Sequence, residues 1–243
     1  MIAKPFLLAV QFLTRFPLPS LRDIAPHDVG RSMLYYPLVG ALIGALLFAL
    51  DHLLVEAAPL LRAALLVVAW VVITGGLHLD GVADMADAWV GGHGERERTL
   101  ALMKDPACGP MGVLALLLLL LLKVAALESL AGHAAPLLIV APLLARTALL
   151  LLFLTTPYVR RGGLGETLAQ QLPRRVGWLV VVAVPGGVLL LVPHIWGVVV
   201  MVGIVFLLFR QRLLQRLGGT TGDTAGALLE VCEATILLAA ALL

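Results

Sequence analysis

The chain has 243 residues, of which 61% are hydrophobic and 13% charged, with a net charge of +2 and a mean hydropathy of +1.04. A soluble globular domain is about half apolar and a quarter charged, so this composition places the chain in a membrane. The small net charge argues against a nucleic-acid partner, and apolar runs that are continuous rather than alternating exclude a membrane barrel.

Residues 1–16 carry Lys4 and an apolar run like that of a signal peptide, but no small-x-small cleavage site precedes the polar stretch, so the segment is expected to be retained. At helical spacing Lys4, Gln11 and Arg15 fall on one side and Phe6, Val10, Leu13 and Phe16 on the other. That pattern predicts a helix lying in the membrane interface; a short buried helix is the plain alternative.

Seven spans follow, at about 34–55, 61–79, 111–131, 135–155, 177–193, 195–209 and 226–243. Pro193-His194 separates the fifth and sixth as a tight hairpin, and Gly186-Gly187 after Pro185 is a place for a kink. The expected fold is therefore all-α: a polytopic membrane helical bundle of about seven transmembrane helices plus the N-terminal interfacial helix, forming one domain over residues 1–243.

Basic residues alternate between the connections. Lys4, Arg15, Arg22 and Arg31 precede the first span; Arg96, Arg98 and Lys104 lie in the second connection, Arg160, Arg161, Arg174 and Arg175 in the fourth, and Arg210, Arg212 and Arg216 in the sixth. The first, third and fifth connections hold only Arg62. The positive-inside rule then predicts a cytoplasmic N-terminus, an outer C-terminus, and cytoplasmic loops at 80–110 and 210–225. Asp51 and His52 fall near the outer end of the first span, Lys123 and Glu128 are near enough to pair, and Arg146 inside the fourth span needs an acidic partner. Cys108 lies in a polar loop and Cys232 in an apolar segment, so no structural disulfide is expected.

Three polar blocks carry the chemistry. In Gly75-Gly76-Leu77-His78-Leu79-Asp80-Gly81-Val82-Ala83-Asp84-Met85-Ala86-Asp87 the aspartates are spaced i, i+4, i+7. A helix stacks such side chains on one face, where they repel unless a cation sits among them. Oxygen-only ligands suit a hard cation, Mg²⁺ first, so Asp80, Asp84 and Asp87 are the candidate metal ligands. Gly81 lets a ligand or another backbone approach, and His78 either touches substrate or sits at the interface. Gly218-Gly219-Thr220-Thr221-Gly222-Asp223-Thr224-Ala225-Gly226 opens the last span. Its free backbone N–H groups, around Gly222 and Thr224, suit phosphate, although Asp223 or Thr224 also serves as an ordinary N-cap. Glu230 shares a face with Asp223, and Glu233 follows; both are acids inside a span, and an internal ion pair with Arg146 or Lys123 is the competing reading. Arg96, Arg98 and Lys104 are candidate phosphate contacts or simply part of the charge bias above. No Walker A, HExxH or Cys/His metal pattern is present. Together the blocks suggest phosphoryl transfer from a diphosphate-linked donor to an alcohol.

The chain resembles the cobalamin (5′-phosphate) synthase family, the adenosylcobinamide-GDP ribazoletransferases. The resemblance rests on Phe12-Leu13-Thr14-Arg15-Phe16-Pro17, the Gly75–Asp84 block with Asp87, Met103-Lys104-Asp105 with Gly109 and Gly112-Val113-Leu114-Ala115, and Gly218–Ala227 with Glu230, in the family's order and spacing. It departs at Pro110, where the family's loop often has a polar residue. It implies a Mg²⁺-dependent transferase of the prokaryotic cell (inner) membrane with its active site facing the cytoplasm. Such an enzyme joins adenosylcobinamide-GDP to α-ribazole or its 5′-phosphate, releases GMP, and forms adenosylcobalamin or its 5′-phosphate. It further implies metal ligation by Asp80, Asp84 and Asp87, metal or base duty for Asp223 and Glu230, and a phosphate contact at Lys104. The expected partners are those two substrates and the bilayer, with a homo-oligomer or a complex with other cobalamin-assembly enzymes left open. CDP-alcohol phosphotransferases share the logic of aspartates around a metal–diphosphate, but their arginine is replaced here by Met85 after Asp84. A lipid-alcohol phosphotransferase of that type and a cation transporter are the alternative functions.

Overall fold

The computed structural model describes residues 3–130 and 135–243; the first two residues and the end of the third expected span, residue 131, lie outside them. The chain runs α1 (Ala3–Leu13), α2 (Pro26–Ser32), α3 (Tyr36–Leu53), α4 (Pro59–Thr74), α5 (Leu77–Gly91), α6 (Arg96–Leu102), α7 (Pro110–Ser129), α8 (Ala135–Thr155), α9 (Leu164–Gln171), α10 (Arg174–Leu191), α11 (Trp196–Leu217) and α12 (Gly222–Leu242). Among the described residues six helical segments are long and apolar enough to cross a membrane: Pro26–Leu53, Pro110–Ser129, Pro136–Thr155, Arg174–Leu191, Trp196–Leu217 and Gly222–Leu242. The bent pair α4 and α5 supplies a seventh if taken as one span. The protein is an all-α polytopic membrane bundle.

Helices α8 and α12 form its centre. Leu138, Ala141, Ala145, Leu150 and Leu152 on α8, and Leu228, Leu229, Cys232, Ile236 and Leu237 on α12, are fully buried. Helix α3 packs on α8 through Gly40 and Gly44, where an added Cβ would come within 2.3 Å of the Pro142 carbonyl and 2.5 Å of Ile139. Small residues of this kind let membrane helices approach where no hydrophobic effect drives them together. Helices α7 and α10 are peripheral and turn Leu117, Leu121, Val182 and Leu190 outward, as lipid-facing surface requires.

Several boundaries differ from those read off hydropathy. The second span, expected at 61–79, stops at Thr74: Gly75 and Gly76 adopt φ of 66° and 67°, and α5 leaves at 93° to α4. Residues 77–79 therefore begin the aspartate helix. Helix α1 ends at Leu13, so Arg15 and Phe16 are not on it; the Arg15 N–H donates to the Ile73 carbonyl at 2.8 Å. Ala9, Val10 and Leu13 are buried, and α1 belongs to the main hydrophobic core. Helix α10 continues through Pro185 as far as Leu191, and α11 continues to Leu217, placing Arg210, Arg212 and Arg216 on helix rather than loop. Asp51 is buried and paired with Arg62.

The charges inside the spans meet one another. The Lys123 ammonium donates to Glu230 at 2.6 Å and Glu233 at 2.7 Å, and Arg146 donates to Glu233 at 2.8 Å. All four side chains are buried. Lys123 also lies 4.8 Å from the Trp70 ring centroid. Glu128 is exposed, so the expected Lys123–Glu128 pair is replaced by this cluster. Two cations balance two anions, the condition under which ionised groups are tolerated in a bundle interior. The cluster ties α7, α8 and α12 together.

Candidate functional site

Two motif blocks far apart in sequence meet where α5 crosses the start of α12. A Cβ on Gly81 would fall 2.5 Å from the Asp223 carbonyl oxygen, and one on Gly226 would fall 3.3 Å from the His78 Cα. The absence of side chains at these two positions is what lets the helices touch. The crossing sets Asp80 and Asp84 of α5 beside Asp223 of α12. Asp80 is exposed, Asp84 and Asp223 are partly buried, and Asp84 lies within electrostatic reach of both other carboxylates.

The loop after α8 completes this arrangement. Thr220 donates its N–H to the Pro157 carbonyl at 2.8 Å and accepts from Val159 N–H at 2.9 Å, a parallel bridge that fixes the loop against the turn before α12. The Arg160 guanidinium is thereby carried to Asp223, donating at 2.9 Å. Tyr158 stands beside Gly222, and burial raises its phenol above the ordinary value, so it stays protonated and able to donate. Neither Arg160 nor Tyr158 was singled out in the sequence. Arg160 counted only toward charge bias, and no spacing rule links it to Asp223; the bridge through Thr220 does.

Asp80, Gly81, Gly222, Asp223 and His78 border a cavity of about 230 Å³. Its walls are largely apolar and aromatic: Phe12, Met33, Tyr36, Leu149, Phe153, Tyr158 and Leu168. His78 is buried and its Nδ1 has no hydrogen-bond partner among the described residues.

The other expected site residues sit elsewhere. Asp87 accepts from the backbone N–H groups of Gly109 at 2.7 Å and Gly112 at 2.9 Å, capping the start of α7. Thr224 forms a capping box with Thr221, its Oγ1 accepting the Thr221 N–H at 2.9 Å, and so serves α12 rather than the cavity. Glu230 is held by Lys123, away from the cavity. Arg96 donates to the Leu217 carbonyl at 2.7 Å and caps the end of α11. Arg98 and Lys104 are exposed and make no side-chain hydrogen bond among the described residues. Arg210 on the Thr155 carbonyl, Arg174 on the Leu154 carbonyl and Arg216 on the Trp89 carbonyl repeat the pattern of a cation on a helix-end carbonyl. The basic residues thus gather at the same end of the bundle as the acidic crossing.

Among the described residues no three carboxylate, imidazole or thiol groups form a closed metal-ligand set. Mg²⁺ does not require one, because it commonly binds through one or two carboxylates, retained water and substrate phosphates. Asp80 and Asp84 have no side-chain hydrogen bonds within the described residues, which leaves their oxygens available, and the donor set is all oxygen; the residues fit such an ion.

Comparison with known proteins matches residues 5–241 to the family described as Cobalamin-5-phosphate synthase. The chain is 52% identical over 241 residues to the adenosylcobinamide-GDP ribazoletransferase of Pseudomonas fluorescens (strain Pf0-1), covering 98% of this chain and 99% of that protein. It is 51% identical over 241 residues to the protein of the same name in Pseudomonas syringae pv. syringae (strain B728a), with the same coverage. To that of Stutzerimonas stutzeri (strain A1501) it is 52% identical over 239 residues, 98% of each chain. No solved structure matches the chain.

Proposed function

From the premise that this chain belongs to the cobalamin-5-phosphate synthase family, we propose that it transfers the corrinoid phosphate of adenosylcobinamide-GDP to a hydroxyl of α-ribazole or its 5′-phosphate at the α5–α12 crossing. The attacking hydroxyl oxygen bonds to the phosphorus attached to the corrinoid, the bond from that phosphorus to the bridging anhydride oxygen breaks so that the oxygen leaves with GMP, and the hydroxyl proton passes to a base. The observation that carries this reading is the meeting of Asp80 and Asp84 with Asp223 and its partner Arg160, with Asp80 and Asp223 on the border of one cavity.

Asp80 and Asp84 are the residues that would hold Mg²⁺, which when bound supplies neutralisation of the diphosphate oxygens. Arg160 binds phosphate oxygens, its planar fork suiting them bidentately. Asp223 lies next to the same oxygens and receives the hydroxyl proton; its partner Arg160 is released toward the phosphate as substrate arrives. Tyr158 donates to an oxygen at the cavity mouth. Asp87 acts at one remove by fixing α7 against α5. Concentration of Arg96, Arg160, Arg174, Arg210 and Arg216 at this end supports a site facing the cytoplasm, and the inner membrane is the location that the family resemblance implies.

The test is GMP release by purified protein in liposomes supplied with adenosylcobinamide-GDP, Mg²⁺ and, in turn, α-ribazole or its 5′-phosphate. Product that depends on Mg²⁺ and disappears in Asp84→Asn is expected. No product from folded wild type with either acceptor overturns the reading.

A further inference from the structure

The cavity is too small and too apolar for most of what the reaction handles. At about 230 Å³ it lies below the 300–1,000 Å³ range of pockets for drug-sized ligands, and a corrinoid nucleotide is far larger than those ligands. Guanine fits poorly by chemistry rather than size, since the polar groups Asp80, Asp223 and His78 are outnumbered in the lining. Its edges carry several donors and acceptors, and walls such as Leu149, Phe153 and Phe12 would leave them unpaired at a large desolvation cost. A flat, mainly hydrocarbon heterocycle meets neither objection.

Two aromatic pairs stand in the walls. Phe12 of α1 stacks on Tyr36 of α3 with ring centroids 6.0 Å apart and planes at 23°, and Phe153 of α8 stacks on Tyr158 with centroids 5.8 Å apart and planes at 24°. Apart from Asp80 and Asp223 the walls hold few polar side chains, those of Tyr36, His78 and Tyr158. Tyr36 and His78 both line the cavity; the buried His78 Nδ1 has no hydrogen-bond partner among the described residues, and the buried Tyr36 hydroxyl has none at hydrogen-bond distance, with the Ser32 side chain near it. Buried polar atoms without partners are rare in folded proteins, and each needs an explanation. A ligand with one polar ring atom and an apolar body provides one here.

Resting on the transferase reading above, we infer that this cavity is the acceptor subsite: it takes the benzimidazole ring of α-ribazole among the aromatic pairs, with Tyr36 donating to the free ring nitrogen. The ribose then lies at the mouth beside Asp80 and Asp223, where its hydroxyl meets the donor phosphorus. The corrinoid and the guanosine stay outside. This ordering assigns base selectivity to Phe12, Tyr36 and Phe153, none of which belongs to the acidic motifs.

The experiment compares wild type with Tyr36→Phe and Phe153→Ala in two assays: KM for each substrate in GMP release, and equilibrium dialysis of α-ribazole without donor. Tyr36→Phe keeps the ring and its packing, so it remains informative where Phe153→Ala does not fold. Tyr36→Phe is expected to weaken α-ribazole about three- to tenfold in both assays, and Phe153→Ala about tenfold or more, with KM for adenosylcobinamide-GDP unchanged. A rise in the donor's KM alone would assign the cavity to the nucleotide and overturn the inference, as would no change for either substrate. Absence of GMP release from wild type together with α-ribazole binding that weakens in Tyr36→Phe sinks the transferase reading and keeps the subsite. Absence of both sinks the subsite as well.

Discussion

The ion cluster inside the bundle makes a prediction that separates a structural role for Glu230 from a chemical one. Lys123 lies 2.6 Å from Glu230 and 2.7 Å from Glu233, and Arg146 lies 2.8 Å from Glu233, all of them buried. Replacing Lys123 by Met removes one cation and leaves two carboxylates facing one guanidinium. Removing one partner of a buried ionic group costs about 3–5 kcal/mol, because the remaining charge is left uncompensated. For a chain of this length each kcal/mol moves the midpoint by about 2–4 °C, so Lys123→Met should lower the thermal midpoint in detergent by about 6–20 °C. The double variant Lys123→Met, Glu230→Leu restores balance, with Arg146 and Glu233 still paired, and should recover most of the loss. Fluorescence-detected unfolding measures the midpoint, and GMP release by the double variant below its midpoint reports on chemistry. A Lys123→Met protein as stable as wild type would refute the electrostatic argument. A stable double variant without activity would return Glu230 to the reaction.

Other outcomes follow from the same geometry. Asp87→Ala removes the side-chain cap of α7 and should cost about 1–2 kcal/mol, seen as a lower unfolding midpoint; an unchanged midpoint would show the two N–H contacts to be incidental. Gly81→Ala puts a methyl group 2.5 Å from the Asp223 carbonyl, so it should separate α5 from α12 and reduce GMP release at least tenfold, whereas Gly186→Ala, which meets nothing within 4 Å, should be silent. Arg160→Ala should raise KM for the diphosphate donor about tenfold or more, while Arg98→Ala, exposed and away from the cavity, should change it by less than about twofold. Chelation of divalent ions should stop GMP release and added Mg²⁺ should restore it; activity that persists after thorough chelation would remove the metal from Asp80 and Asp84.

Some of this was legible because it depends on composition and local spacing. Apolar runs longer than the bilayer core must be helices, since no water is available there to satisfy an open backbone, and this alone predicts an all-α membrane bundle. The i, i+4, i+7 aspartates share a helix face wherever that helix lies, and Gly81 marked a close approach before its partner was known. The break between α4 and α5 was less visible, because hydropathy runs smoothly through Leu77 and Leu79 and only the left-handed Gly75-Gly76 pair interrupts the helix.

Distance along the chain hid the rest. Asp87 and Thr224 have the same residue types as ligand or phosphate-contact candidates, and only the folded neighbours turn them into helix caps, through Gly109, Gly112 and Thr221. Glu230 and Glu233 pair with Lys123 and Arg146, the ion-pair reading offered by the sequence beside a site role; that α7 and α12 pack side by side, which decides between the two, is contained in no periodicity within either helix. Arg160 reaches Asp223 through backbone hydrogen bonds between segments about sixty residues apart. The sequence by itself determined which solvent each helix must suit and which polar residues share a face, because those are properties of one segment. Which carboxylates remain open to a ligand, and what stands around them, was decided by the tertiary structure, because burial, charge balance and hydrogen-bond satisfaction belong to pairs of segments that only folding brings together.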